Sequence, residues 1–186
     1  MKKVWVKIVP WDKPLAIAAL EGGADAVVLS AGDAPRMREL GRMTVVAPDG
    51  DLRPGRDLTE MEIRSKADER AAAAAPGNRT LLLRMSDWTV IPLENLIAQR
   101  GNILVEATSA ESARTAAGIL EKGVDGVVLA TRDPEEIRKT VRLVREFGES
   151  LALGNADAFD RRLIVVGSQV ARDRLRSNLL GEKTQP

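Results

Sequence analysis

Charged residues set inside apolar, strand-like runs are the ones most able to do chemistry, because side chains alternate along a strand and such charges are rarely buried without a purpose. Lys7 stands in Val4-Trp5-Val6-Lys7-Ile8-Val9 and shares a face with Trp5 and Val9. Arg84 lies between Leu83 and Met85, Glu106 between Val105 and Ala107, and Arg64 and Lys66 alternate with Glu62. All fall towards the carboxyl ends of their runs. If those faces meet at the mouth of a barrel, Lys7, Lys66, Arg84, Asp87 and Glu106 form a mixed-charge set. Two lysines and an arginine would hold a carboxylate, a lysine depressed by its neighbours could attack a carbonyl, and Asp87 or Glu106 could move protons. The other reading is that these charges pair internally and fill a polar layer of the barrel.

A second group lies in the stretch from Arg84 to Ala98. Leu81-Leu82-Leu83 reads as a buried strand, and Pro92 suits the first turn of a helix that ends before Gly101. Asp87, Trp88 and Thr89 then occupy the strand-to-helix turn, where ligands of α/β proteins commonly sit. Glu94 and Asn95 are expected in the helix's first turn. Arg84, Trp88, Glu94 and Asn95 are thus the candidate substrate-binding set, beside Lys7, Lys66, Asp87 and Glu106 as the candidate catalytic set. The same residues would also serve to cap the turn, cover the core and complement the helix dipole.

The elements that must position these groups alternate along the chain. Strands are expected at Val4–Val9, Ala26–Leu29, Thr44–Val46, Glu60–Ser65, Leu81–Met85, Ile103–Ala107, Val127–Ala130 and Leu163–Val166. Helices are expected from an Asp12 cap to Gly22-Gly23, over Ala34–Leu40 and Asp68–Ala75, from Pro92, from a Ser109 cap to Lys122, from Asp133-Pro134 to Phe147, and over roughly Gln169–Leu180. Pro48–Arg56, rich in Gly, Pro and Asp, reads as a loop.

A repeat runs through this alternation. Leu20-Glu21-Gly22-Gly23-Ala24-Asp25-Ala26-Val27-Val28-Leu29 recurs as Leu120-Glu121-Lys122-Gly123-Val124-Asp125-Gly126-Val127-Val128-Leu129. Asp25 and Asp125 fall in helix-to-strand turns, at the stability end of a barrel. Equivalent units separated in one chain predict an α/β fold, a compact (β/α)8 TIM-barrel-like domain over residues 1–168 with the 48–56 loop in place of one helix. Residues 169–186 would form a basic helix and a polar tail. An open doubly wound parallel sheet is the alternative.

Composition narrows the chemistry. The 186 residues are 44% hydrophobic and 30% charged, with a net charge of +1, three Trp, two Phe and no Tyr. That supplies neither a basic field nor a stacking surface for nucleic acid. No apolar run reaches the length of a membrane helix, and the basic start leads into a strand-like run, which predicts a cytoplasmic protein without membrane contact. The absence of Cys and His removes thiol nucleophiles, thiolate metal sites and the usual general base. A divalent cation held by carboxylates is the remaining metal option, without a D-x-D-x-D-G type loop to support it. No G-x-G-x-x-G or P-loop occurs, and Gly167-Ser168 offers only a weak phosphate-contact signal.

The twelve residues Asp87-Trp88-Thr89-Val90-Ile91-Pro92-Leu93-Glu94-Asn95-Leu96-Ile97-Ala98 resemble the signature of the archaeal-type, class II 3-dehydroquinate synthases and the related 3-amino-4-hydroxybenzoate synthases. Val4-Trp5-Val6-Lys7, Ala19-Leu20-Glu21 with Gly23-Ala24-Asp25, Ile63 with Ser65-Lys66, and Leu120-Glu121 with Gly123-Val124-Asp125-Gly126-Val127 resemble the family in the same order. Residues 1–144 carry the likeness. It implies NAD as cofactor, oxidative deamination of a C7 amino sugar acid (a 2-amino-dideoxy-heptulosonate) and aldol closure to 3-dehydroquinate, in the shikimate route to aromatic amino acids. The sister activity cyclises a similar acid to an aminohydroxybenzoate. Members of the family continue into a Gly-Asp-Arg-Val-Cys segment and a β-rich domain, where this sequence has Val166-Gly167-Ser168-Gln169-Val170-Ala171-Arg172-Asp173. The departure implies either a non-catalytic barrel or a separate chain that supplies the β-rich domain as partner.

Overall fold

The computed structural model describes residues 2–85, 90–118 and 123–148, with the backbone alone for 90–92. In order, the elements are β1 (Lys3–Lys7), α1 (Lys13–Gly22), β2 (Ala26–Val28), α2 (Ala34–Leu40), β3 (Thr44–Val46), β4 (Leu58–Ile63), α3 (Lys66–Ala74), β5 (Thr80–Met85), α4 (Val90–Gln99), β6 (Ile103–Ala107), α5 (Ala110–Gly118) and β7 (Gly126–Ala130). A helix over 134–148, here α6, follows. The expected eighth strand, the C-terminal helix and Gly167-Ser168 lie outside the described residues.

The seven strands of the described residues are all parallel, in the order β3-β2-β1-β7-β6-β5-β4. One inward-facing residue or more from every strand enters a single cluster: Trp5, Ala26, Val28, Val46, Leu58, Leu82, Leu104 and Val128. The sheet therefore curls around an interior of its own. The alternate residues point outward, where Val4, Leu81, Leu83, Ile103 and Val105 pack on α3, α4, α5 and α6, and Val6, Val27, Val45 and Leu129 pack on α1 and α2. Period-two alternation thus serves two cores at once, which is why the strands read as near-continuous apolar runs.

The structure corrects the eight-strand expectation in one respect. Both edges of β1 are taken, by β2 on one side and β7 on the other, in the register Lys3↔Gly126 to Lys7↔Ala130. No place remains between β7 and β1 for an eighth strand. Gly126 makes the closure sterically feasible: a Cβ there would run into the carbonyl oxygen of Lys3 and lie 2.6 Å from Leu104 Cδ2. The opposite seam, between β3 and β4, has no ladder. The 48–57 loop spans it through isolated bridges, Val46 with Leu52 and Pro54 with Leu58, and Leu52 packs into the barrel interior. The helix missing at this point is the one the sequence leaves out.

The repeat is visible as matching geometry on either side of β1. Gly23 and Gly123 both stop the chain in the left-handed region, at φ 77° and 60°. Asp25 then donates its N–H to Val4 O (2.8 Å) and accepts from Val4 N at Oδ2 (2.7 Å), while Asp125 makes the same pair with Ile103 (2.9 and 2.9 Å). Asp51 does so again with Val45 (2.8 and 2.9 Å). Each carboxylate supplies one more rung to the start of a neighbouring strand. Among the described residues no helix is long and apolar enough to cross a membrane.

Candidate active site

Moving two residues along a strand keeps the face and advances towards the carboxyl end. From the apolar interior layer this step leads from Trp5 to Lys7, from Leu58 to Glu60, from Leu82 to Arg84, from Leu104 to Glu106 and from Val128 to Ala130. The floor is apolar and the layer above it is polar. Within that layer Lys7 Nζ donates to Glu106 Oε2 at 2.9 Å, with the two side chains 29% and 19% exposed. β7 separates β1 from β6, and its small Ala130 leaves room for the two long side chains to meet over it. Lys7 and Glu106, joined from positions 99 residues apart, are brought together as the alternation requires.

Arg84 and Glu60 complete the layer on the neighbouring strands β5 and β4. Both are exposed, and neither side chain makes a hydrogen bond or ion pair among the described residues. Glu62, opposite Arg84 in the β4–β5 register, lies one step further out. The Arg64 guanidinium, hydrogen-bonded to it at 2.5 Å, holds the Glu62 carboxyl below the usual glutamate range, and the positive charge of Arg84 adds to the effect. The same bond raises Arg64.

Lys66 has left the strand. Ser65 accepts from Asp68 N at 3.3 Å and caps α3, and Asp68 accepts in turn from Arg64 N (3.0 Å) and Ser65 Oγ (2.9 Å), so Lys66 becomes the first helical residue. Its ammonium lies 2.6 Å from Glu69, a buried carboxylate that also accepts from Asn95 Nδ2 at 3.2 Å. The Lys66 hydrogen bond, with that of Asn95, holds Glu69 below its ordinary range. Two of the candidate residues, Lys66 and Asn95, thus tie α3 to α4. Because α4 begins at Val90, Glu94 and Asn95 stand in its second turn, not its first. Glu94 is half-buried. Asp87, Trp88 and Thr89 lie outside the described residues.

A dinucleotide's pyrophosphate is commonly cradled by the free amides of a helix start. Asp12 caps α1, Ser65 and Asp68 cap α3, and Ser109 with Glu136 occupies the start of α5, where Ala110 N donates to Glu136 Oε1 at 2.6 Å. Asp133 accepts from Glu135 N at the start of α6. These amides are already bound by the protein's own oxygens, so the starts of α1, α3, α5 and α6 do not fit NAD. Nor do three His, Cys, Asp or Glu side chains converge on a metal position among the described residues.

Residues 1–144 match the family model of the 3-dehydroquinate synthase II N-terminal domain. The chain belongs to this family. It is 47% identical over 153 residues to a 3-dehydroquinate synthase of Methanoregula boonei, which covers 82% of this chain and 46% of that protein. A 3-dehydroquinate synthase homolog of Aquifex aeolicus is 46% identical over 154 residues, again 82% of this chain and 46% of that one. The chain spans about half the length of the curated relatives it matches. In three dimensions it resembles phosphoribosylanthranilate isomerase from Thermotoga maritima, with a TM-score of 0.63 and 11% identity over 78% of this chain and all of that one. At that identity the likeness concerns the α/β barrel fold alone.

Within the family's domain the residue that the sequence reading missed is Glu60. The strand expected over Glu60–Ser65 makes Glu60 its first residue, with no apolar anchor before it to set its facing. The strand begins at Leu58, which is buried in the barrel interior and sets Glu60 on the inner face. The signal that would have found it is the pair Leu58 and Glu60, apolar then acidic two positions on, the same pattern as Leu104 and Glu106.

Proposed function

We propose that the barrel is the substrate-binding and ring-closing half of a 3-dehydroquinate synthase of the second class. The observation that carries this reading is the Lys7–Glu106 pair at the carboxyl mouth of a barrel belonging to that family. The substrate is a C7 amino sugar acid, and Arg84 is the group for its carboxylate, since a guanidinium without a partner among the described residues offers two parallel donors. For the aldol step, Glu106 accepts the proton from the carbon beside one carbonyl. That carbon bonds to the second carbonyl carbon, and the carbonyl oxygen takes a proton from Lys7. The 2.9 Å hydrogen bond between the two side chains then returns the proton from Glu106 to Lys7.

Oxidative deamination by NAD belongs to the proposed reaction of the whole enzyme. No residue of the described barrel is assigned to NAD, and no step is drawn through it. We also propose that the enzyme needs the second half that its relatives carry, and that the reaction takes place in the cytoplasm. Asp87 and Trp88, next along the chain from Arg84, remain part of the proposed site through the family signature.

The test is calorimetric titration of the chain with dehydroquinate, together with turnover of the amino sugar acid with NAD, with and without the second half of a relative. Lys7→Met and Glu106→Gln should each lower turnover by about 10²–10⁴-fold while leaving dehydroquinate bound, the range for loss of a positioned acid or base. Arg84→Ala should weaken dehydroquinate by about 1.5–3 kcal/mol. Wild-type protein that neither binds dehydroquinate nor gives turnover with the second half added would overturn the reading.

A further inference from the structure

We infer that Glu60 is the subsite for the amine of the ligand, working beside Arg84, which takes its carboxylate. This assignment rests on the proposed function and adds to it a specificity-determining residue. The argument is one of charge and place. Among the described residues the polar layer above the barrel floor holds two cations and two carboxylates, from Lys7, Arg84, Glu60 and Glu106. Half of it, Lys7 with Glu106, is satisfied internally at 2.9 Å. The other half is not: Glu60 and Arg84 lie on the same inward face of neighbouring strands, Glu60 level with Leu82 and Arg84 two residues beyond it, yet they do not pair with each other. Of the carboxylates on the β4 inner face, Glu62 is engaged by Arg64 and by the charge of Arg84, which leaves Glu60 as the one without a cation among the described residues.

A ligand that carries an anion and an ammonium on neighbouring carbons supplies what both groups lack. Two residues along a strand is about 7 Å, and both side chains are long enough to converge within that span. Access is open as well. β4 is an edge strand among the described residues, and the loop that covers its start reaches only Leu58, through Pro54, so Glu60 remains exposed at the side of the mouth. An amine seated there lies across β5 from Glu106 and leaves the Lys7–Glu106 pair intact for ring closure at the same carbon once the amine has left as ammonia.

The test compares a ligand that carries the amine with one that does not: the open-chain 2-amino C7 sugar acid and the ring-closed 3-dehydroquinate. Full-length wild-type, Glu60→Gln and Glu60→Ala proteins are titrated with each by calorimetry. Loss of a charge-assisted hydrogen bond should weaken the amino acid by about tenfold or more in both variants. Dehydroquinate affinity should stay within about twofold, which also verifies that the variants are folded. Equal weakening of both ligands, or of neither, overturns the assignment of Glu60 while the proposed function stands. Wild-type protein that binds neither ligand overturns the proposed function, and this assignment with it, before any variant is compared.

Discussion

Replacing Asp125 by Ala should cost the fold about 2 kcal/mol, although the residue sits far from the candidate chemistry. Its carboxylate accepts from Ile103 N at 2.9 Å, and Ile103 opens β6 in the outer core, where the backbone amide has no water to turn to. A hydrogen bond to a charged group contributes about 1.5–3 kcal/mol, and the half-buried position of Asp125 argues for the middle of that range. The bond from Asp125 N to Ile103 O is a backbone bond and survives the substitution. For a chain of this size 2 kcal/mol corresponds to a fall of roughly 4–8 °C in melting temperature. Asp125→Asn keeps an acceptor oxygen but loses the charge, so it should cost about half as much. Asp25→Ala should cost more than Asp125→Ala, because Asp25 also pairs with Arg145 at 2.9 Å. Urea unfolding of the three variants followed by far-ultraviolet circular dichroism measures the order. A loss below about 0.5 kcal/mol for Asp125→Ala, or equal losses for the Ala and Asn variants, would refute the view that the carboxylate acts as a rung of the sheet.

Arg100→Ala should destabilise the α3–α4 region by about 2–3 kcal/mol, since one guanidinium donates to the carbonyls of Ala72 (3.0 Å), Ala75 (3.0 Å), Pro76 (3.4 Å) and Arg79 (3.3 Å); hydrogen exchange should show faster opening of α3, and unchanged exchange there would count against the assignment. Glu69 makes stability depend on acidity: its pKa is depressed in the folded state, so its contribution is full above the unfolded glutamate value of about 4.3 and is lost as pH falls through the lower folded value. The stability gap between wild type and Glu69→Gln should therefore be constant at neutral pH and shrink in that acid window, and a gap that widens there would show that the sign is wrong.

What the sequence made legible follows from the distance over which each feature is decided. Local alternation fixes the facing of Leu82, Leu83 and Arg84 within three residues, so the inward arginine can be read without knowing any partner. The same holds for Lys7 after Trp5 and Glu106 after Leu104, and these two do meet. α2, β3 and β6 have the bounds expected of them, because Pro, Gly and β-branched residues mark their ends nearby. Closure between β1 and β7 is decided by residues more than a hundred positions apart and by a missing Cβ at Gly126, which composition and period do not reveal. Lys66 shows local chemistry overriding period: its spacing from Glu62 and Arg64 suits a strand, but the Ser65 hydroxyl binds the Asp68 amide that a helix start leaves open, and the Asp68 carboxylate binds the Arg64 amide just before the cap. The helix begins two residues before the one expected, and the ammonium goes to Glu69. Glu60 is the converse case, since its facing depends on Leu58, and Leu58 is a strand residue only because Leu82, Leu104 and the other inner residues form an interior for it. A site built on strand ends is therefore legible where the strand carries its own apolar anchor in the preceding two residues, and it is lost where that anchor lies outside the expected strand until the barrel has closed around it.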